Sequence, residues 1–308
     1  MSQYPVDEVL AELTEALKHN SAVILSAPPG SGKTTQVPLR LLMSEGVEGR
    51  IIILQPRRVA ARSVASWMAQ LLHERVGDRV GYQVRHERHI GINTRIEVLT
   101  EGLLIQRLLN DPELSGVGLV ILDEFHERNL LTDLTLMMLR EAQLLERDDL
   151  RLLIMSATLD AEPLSQRLNA PIIFASGRSH PLQVVHLDHS PSSRALPTVI
   201  AEQLNSFWLN EPRGDRRKGV ADHERSKDSH LGHCLVFLPG RREIEETRDA
   251  IIDLYPQCMV SELYGSLPLD AQKRALDSSG PPRVILSTNI AETSLTIDGV
   301  THVIDSGL

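Results

Sequence analysis

Short apolar runs alternate along this chain with segments of helical periodicity, and that alternation restricts its fold more than any other feature. In the first half the runs occupy residues 22–25, 51–54, 96–99, 119–122 and 152–155. Because they are apolar on both faces and helical segments separate them, they predict a parallel sheet covered by helices on both sides. The second half repeats the pattern with runs at residues 235–238, 283–287 and 302–304. Ahead of the first strand, apolar residues at helical spacing predict an amphipathic helix over residues 5–19.

The chain length predicts about two domains, since its 308 residues compare with roughly 150 per domain. A turn-rich stretch at residues 175–181 suits a linker between the halves. We therefore place the boundary near residue 178, with one domain at 1–178 and the other at 179–308. Within the second domain, residues 211–230 contain six basic and five acidic side chains. Because these charges nearly cancel, we interpret the insert as a solvated surface loop rather than a nucleic-acid-binding arm.

The composition argues against several classes of protein. Aromatic residues make up only 3% of the chain, which argues against carbohydrate-binding modules and aromatic base-stacking surfaces. Two cysteines, Cys234 and Cys258, cannot build a disulfide framework or a four-cysteine zinc site, so we expect a reducing, cytoplasmic setting. There is no apolar run of 18 residues and no signal-peptide core, so we expect no membrane partner. The net charge of −9 argues against nucleic-acid binding over the whole surface but leaves a local basic groove open.

A glycine-rich turn joins the first predicted strand to the next helical segment, with the sequence Ala-Pro-Pro-Gly-Ser-Gly-Lys-Thr-Thr at residues 27–35. Such a turn points successive backbone N–H groups inward and forms an anion-binding nest at a helix N-terminus. Lys33 can then reach the β and γ phosphates of a nucleotide, and the Thr34 hydroxyl can bind Mg²⁺. Ala27 stands where the general pattern has its first glycine.

Two carboxylates follow the apolar run at 119–122, in the sequence Asp-Glu-Phe-His. Asp123 suits Mg²⁺ coordination, and Glu124 suits the polarisation of an attacking water. An isolated Asp-Glu pair after a strand is commonly just a strand end. Together with the phosphate loop, however, the pair predicts one nucleotide site at the carboxyl edge of one sheet, where open α/β folds bind ligands.

Other potentially reactive side chains have simpler interpretations. His86, His89 and His126 do not match a zinc-binding pattern, so we do not assign a metal site to them. The two cysteines are more consistent with core or surface thiols than with catalysis.

These motifs together resemble those of the DEAH-box ATP-dependent RNA helicases, and most closely those of bacterial members. The resemblance covers nearly the whole chain apart from the charged insert. The segments that carry it are residues 30–35, 55–58 (Gln-Pro-Arg-Arg), 100–102 (Thr-Glu-Gly), 123–126, 156–158 (Ser-Ala-Thr), 235–240, 263–267 and 287–296.

The resemblance implies two RecA-like domains, each a mainly parallel sheet flanked by helices, with the second incomplete at its C-terminal end. It also implies MgATP between the domains and RNA, single-stranded or duplex, across both; DNA remains an open alternative, and a monomer is expected. The implied catalytic residues are Glu124 as the base, Lys33 and Asp123, with Thr34 and Asp123 on Mg²⁺. The implied nucleotide-binding residues are Gly30, Ser31, Gly32, Lys33, Thr34, Thr35, Ser294, Thr296 and Asp298. The implied coupling residues are His126, Ser156 and Thr158. The implied RNA-binding residues are Arg57, Arg58, Thr100, Glu101 and Thr288. For Thr158 and Thr296, simple capping hydroxyls remain the alternative.

Three features depart from the family pattern. Phe125 stands where most relatives have alanine, a change that we expect to leave the chemistry intact. Trp67 stands where relatives often carry a base-stacking arginine, and either stacking or a core position would explain it. The sequence stops at Leu308, before the arginine-rich motif of the family. We therefore expect a piece of a longer helicase that binds MgATP but turns it over poorly alone.

Two other functions compete with an RNA-stimulated ATPase that unwinds RNA. One is a phosphate-loop ATPase unrelated to nucleic acid, which the segments at 55–58, 100–102 and 287–296 argue against. The other is a non-catalytic RNA-binding scaffold, which the intact Lys33, Asp123 and Glu124 argue against.

Overall fold

The computed structural model describes residues 4–44, 47–157, 161–177, 182–188, 192, 194–209, 232–277, 280–291 and 297–308. The chain divides into two compact units, Met1–Leu182 and Gln183–Leu308. The division falls close to the boundary expected near residue 178. The charged insert at 211–230 lies outside the described residues.

The first unit is built on an eight-stranded sheet. Its strands are β1 (Ala22–Ser26), β2 (Arg50–Leu54), β3 (Val80–Val84), β4 (Glu87–His89), β5 (Ile96–Leu99), β6 (Val117–Leu122), β7 (Arg151–Ser156) and β8 (Ile172–Phe174). They lie in the order β4-β3-β5-β2-β6-β7-β1-β8, and every neighbouring pair is parallel except β3 with β4. All five runs predicted as strands in the first half are confirmed.

Helices cover both faces of this sheet, as the apolar character of its strands predicts. The helices are α1 (Leu10–His19), α2 (Lys33–Met43), α3 (Arg58–Leu71), α4 (Glu101–Asn110), α5 (Leu130–Leu145) and α6 (Glu162–Leu168). Alternate residues of one strand enter different cores: Ile51 and Ile53 pack with α1, α2 and α3, whereas Ile52 and Leu54 pack with α4 and α5. Each such side chain contributes about 1.5–3 kcal/mol through burial.

The helix predicted over residues 5–19 is divided. Pro5–Glu8 forms a 3₁₀ turn, and α1 begins only at Leu10. The Asp7 side chain accepts a hydrogen bond from the N–H of Tyr4 and closes the turn. Val6 is fully buried, and its N–H donates to the carbonyl of Ser31 at 3.2 Å. Contact with the phosphate loop therefore holds this segment in place, and helical periodicity alone does not reveal such a contact.

One buried carboxylate lies inside the sheet. Glu97 of β5 is 2% exposed, and its two oxygens are each 2.8 Å from an arginine nitrogen, one of Arg50 and one of Arg107. The two guanidinium groups compensate the charge that burial would otherwise make costly.

The second unit contains a smaller, wholly parallel sheet in the order β10-β11-β9-β12. Its strands are β9 (His233–Phe237), β10 (Val260–Leu263), β11 (Val284–Ser287) and β12 (Val300–Asp305), and its helices are α7 (Leu196–Leu204), α8 (Arg241–Leu254) and α9 (Leu269–Leu276). The three runs predicted as strands in this half are confirmed, whereas β10 was not predicted. Throughout the described ranges, no helix combines the length and apolar character needed to cross a membrane.

Candidate active site

The phosphate loop follows β1, the last strand but one in the order of the first sheet, and leads directly into α2. All five residues of β1 are buried between β7 and β8, and α2 begins at Lys33. Gly30 and Gly32 have φ values of +74° and +89°, which L side chains rarely adopt. A Cβ on Gly32 would also lie 3.0 Å from the Tyr4 ring, whereas one on Gly30 would meet open space. The glycines therefore allow the turn that points the helix N-terminus at a ligand.

Polar groups buried in this loop fit a phosphate. The Lys33 side chain is only 6% exposed. Ser31 is 1% exposed, and within the described residues its hydroxyl has no hydrogen-bond partner. Thr34 and Thr35 are half-buried in the first turn of α2. The unpaired Ser31 hydroxyl is costly to bury unless a ligand binds it, and the buried Lys33 ammonium beside it suits an anion.

Asp123 follows β6 and is held from several sides. Its Oδ2 accepts a hydrogen bond from Nε2 of Gln55 at 2.6 Å, and its Oδ1 accepts one from the N–H of Glu124 at 2.9 Å. The Thr34 side chain also hydrogen-bonds to this carboxylate. The structure thus brings together the two oxygen groups expected to bind Mg²⁺. A carboxylate and a hydroxyl beside a phosphate loop are ligands that Mg²⁺ accepts, so these residues fit the ion.

Glu124 lies between a cation and an imidazole. Its Oε1 is 3.8 Å from Nζ of Lys33, and its Oε2 is 3.5 Å from Nδ1 of His126. Burial raises the pKa of Glu124 to about 7, the Asp123 charge adds to this effect, and Lys33 opposes it. Burial also raises the pKa of Asp123, again against the influence of Lys33. Glu124 therefore lies near the pH range in which it can take up a proton.

His126 connects the acidic segment to the end of β7. Its Nδ1 accepts a hydrogen bond from the N–H of Ala157 at 3.4 Å, next to the buried Ser156. Burial lowers the pKa of His126, and the Lys33 charge adds to this effect. A neutral imidazole with Nδ1 as the acceptor agrees with both observations. Thr158, the third expected coupling residue, lies outside the described residues.

The residues expected to contact RNA in the first unit differ in their surroundings. Arg58 is exposed at the start of α3, and Nη2 of Arg57 is 3.8 Å from Oε2 of Glu127. Thr100 is half-buried where β5 passes into α4. Glu101 is buried, and its Oε1 accepts hydrogen bonds from side chains at the start of α5, namely Thr132 and Asn129. The Glu101 carboxylate thus holds α5 against α4, and sequence reasoning did not predict this contact.

In the second unit, Thr288 follows β11, and its N–H donates to the carbonyl of Leu263 at 3.2 Å. Asp298 is exposed in the turn before β12. Ser294 and Thr296 lie outside the described residues.

The departures from the family pattern can be located. Phe125 is 4% exposed beneath the Arg128 guanidinium, 5.3 Å from the ring centroid. Trp67 is 45% exposed on α3, so the core position is wrong. Both cysteines are free thiols, and burial raises the pKa of Cys234 to about 12. The part of the chain that the structure describes contains no cluster of three potential metal ligands among histidine, cysteine and carboxylate side chains.

Comparisons with known proteins agree with this arrangement. The family model described as DEAD/DEAH box helicase matches residues 8–166, and the one described as helicase conserved C-terminal domain matches residues 221–308. The ATP-dependent RNA helicase HrpB of Escherichia coli is 46% identical across 99% of this chain and 36% of its own length. The HrpA helicase of the same organism is 37% identical across 98% of this chain and 22% of its own length. A crystal structure of the E. coli DEAH/RHA helicase HrpB matches with a TM-score of 0.83 and 44% identity, over 98% of this chain and 36% of that one. The chain thus spans about a fifth to a third of the length of these relatives.

Proposed function

The chain belongs to the DEAD/DEAH box helicases, and on that premise we propose that its first unit binds MgATP and that the protein couples ATP hydrolysis to movement along RNA and to RNA unwinding. One observation carries the proposal. The buried Lys33, Asp123 and Glu124 and the half-buried Thr34, from segments far apart in the sequence, converge at the carboxyl edge of one mainly parallel sheet. That edge is where α/β folds of this type bind nucleotides.

The position of each residue suits one step of ATP binding or hydrolysis. The loop N–H groups and Lys33 bind the phosphates, so the Lys33 ammonium moves from Glu124 to the nucleotide. Thr34 and Asp123 would hold Mg²⁺, which neutralises charge on the β and γ phosphates when it is bound. The Glu124 carboxylate orients the attacking water and accepts its proton at Oε1 or Oε2. The pKa of about 7 suits a group that takes up a proton and then releases it.

RNA as the substrate is supported by the names of the relatives and by the position of the basic residues. Arg57, Arg58 and Thr100 follow β2 and β5, which are neighbours in the sheet. Side chains there would contact the phosphate backbone, which positions a strand without reading its bases. We therefore expect weak sequence preference. The free thiols of Cys234 and Cys258 support a reducing cytoplasm as the compartment.

The rate expected for this 308-residue polypeptide is low. The family's motif Gln-Arg-x-Gly-Arg-x-Gly-Arg does not occur within these residues. Arginines that neutralise the transferred phosphoryl group contribute about 10³–10⁵ to the rate in phosphate-loop enzymes generally. We propose that the polypeptide binds MgATP but hydrolyses it slowly.

The experiment measures binding of a fluorescently labelled ATP and steady-state ATP hydrolysis, with and without single-stranded RNA, beside Lys33→Ala. We expect Mg²⁺-dependent binding that the substitution weakens at least about tenfold, because it removes a charge-assisted contact to phosphate. Hydrolysis should stay near the rate of the variant. RNA-stimulated turnover well above that rate would contradict the requirement for the arginines, and absence of ATP binding would contradict the proposed function.

A further inference from the structure

Gln55 has no role in the mechanism above, yet it lies beside the carboxylate expected to hold Mg²⁺. It follows the last residue of β2, and the register pairs Leu54 of β2 with Leu122 of β6. Gln55 and Asp123 are therefore the first residues beyond two adjacent parallel strands. The Asp123 N–H donates to the Leu54 carbonyl at 3.3 Å, which keeps the two strand exits aligned. The same segments approach again at Arg57 and Glu127, 3.8 Å apart.

The Gln55 amide has a defined orientation. Its nitrogen is 2.6 Å from Oδ2 of Asp123, and an ionised carboxylate can only accept, so the nitrogen must face the aspartate. The Gln55 side chain is fully buried, and within the described residues its Oε1 has no hydrogen-bond partner. An unpaired buried carbonyl destabilises the folded chain relative to an apolar side chain of similar size. The glutamine is therefore tolerated here because of its hydrogen bond to the Asp123 carboxylate.

We propose that Gln55 is a positioning residue for Asp123, a role that rests on the proposed function. Its amide holds the orientation of the carboxylate, which together with the Thr34 hydroxyl would hold Mg²⁺. Hydrogen bonds from neighbouring side chains orient metal-binding carboxylates in this way, and their loss typically weakens metal binding about 10–100-fold. Gln55, which makes this contact, directly follows β2 and lies two residues before Arg57.

The test compares two buried glutamines of the same unit. Gln55→Met keeps the length of the side chain and removes the amide. Gln143→Met is the matched control, because Gln143 is also buried and donates to two backbone carbonyls, those of Ser21 at 2.8 Å and Leu150 at 2.7 Å. Each variant and the unaltered chain are titrated with MgCl₂ in the presence of labelled ATP, and binding without Mg²⁺ is measured in EDTA.

We expect Gln55→Met to raise the half-saturating Mg²⁺ concentration about tenfold or more and to leave binding in EDTA unchanged. Gln143→Met should lower the thermal midpoint without changing the Mg²⁺ dependence. If the Mg²⁺ dependence of Gln55→Met equals that of the unaltered chain, the inference fails and the proposed function stands. If the unaltered chain binds no labelled ATP, both fail. Should Gln55→Met not fold, Gln55→Asn is judged by the same criteria, because its shorter amide cannot span the distance to Asp123.

Discussion

The buried carboxylate of Glu124 should make the ligand-free chain less stable as the pH rises. Its pKa lies at about 7 rather than the ordinary 4.5, mainly because of burial. The folded chain therefore keeps this proton to higher pH than the unfolded chain does. Stability falls between about pH 4.5 and pH 7, and it stays at the lower level above that range. The whole difference corresponds to about 3 kcal/mol, of which about 2 kcal/mol develops between pH 5 and pH 8.

Glu124→Gln removes this titration while keeping the size of the side chain. Relative to the unaltered chain, the variant should become more stable by about 2 kcal/mol on going from pH 5 to pH 8. For a unit of this size the change corresponds to about 4–8 °C in thermal midpoint. The difference between the two proteins therefore reports the titration of Glu124 together with its effect on the neighbouring Asp123.

The assay is scanning calorimetry at pH 5 and pH 8, without nucleotide and with EDTA. Glu141→Gln serves as the control, because Glu141 is exposed on α5 of the same unit. The control should show the same difference from the unaltered chain at both pH values. If Glu124→Gln also differs from the unaltered chain by the same amount at pH 5 and pH 8, the argument from burial is refuted.

Three further substitutions or reactions test other parts of the structure. Gly32→Ala places a Cβ at φ +89° and against the Tyr4 ring, which destabilises the folded loop by at least about 1–2 kcal/mol. The substitution should weaken the binding of labelled ATP about tenfold. Gly102→Ala is the control, because a Cβ at this helical position meets open space, and it should leave ATP binding unchanged. Glu97→Gln leaves Arg50 and Arg107 without their carboxylate and should lower the free energy of unfolding by about 2 kcal/mol in urea denaturation. An unchanged free energy of unfolding would show that these ion pairs contribute nothing to stability. Cys234 should resist a thiol reagent at pH 8 until the chain is denatured, because burial raises its pKa to about 12; fast modification of both cysteines in the native chain would contradict its burial.

The sequence predicted the central strands because each is a continuous apolar run, a pattern typical of strands covered on both faces. The strands that it missed lack this pattern. β3 contains Gly81 and Gln83, β10 reads Val-Ser-Glu-Leu, and β4 and β8 have three residues each. Such strands form because a neighbouring strand offers hydrogen bonds and a core to pack on. Single-sequence periodicity carries neither kind of information.

The candidate site likewise contains features that the sequence predicts and contacts that it does not. The convergence of the phosphate loop and the acidic pair follows from strand order at one sheet edge, so motifs predict it. The contact of Gln55 with Asp123 depends on the register between β2 and β6, which no local pattern encodes. Likewise, the motifs predict that Glu101 contacts RNA. In the structure its carboxylate is buried and accepts hydrogen bonds from Asn129 and Thr132 at the start of α5. Side-chain direction at such positions is set by tertiary packing.

The 3₁₀ turn at the start of the first unit has a practical consequence for anyone who trims this protein for biochemistry. The family match begins at residue 8, yet Tyr4 and Val6 already touch the phosphate loop upstream of that limit. A recombinant fragment cut at the family boundary would lose the tyrosine ring against Gly32 and the fully buried valine beneath Ser31. The nucleotide affinity measured for that fragment would then reflect the loss of these contacts as well as the binding site itself. Domain limits for this protein are better chosen from packing than from sequence matches.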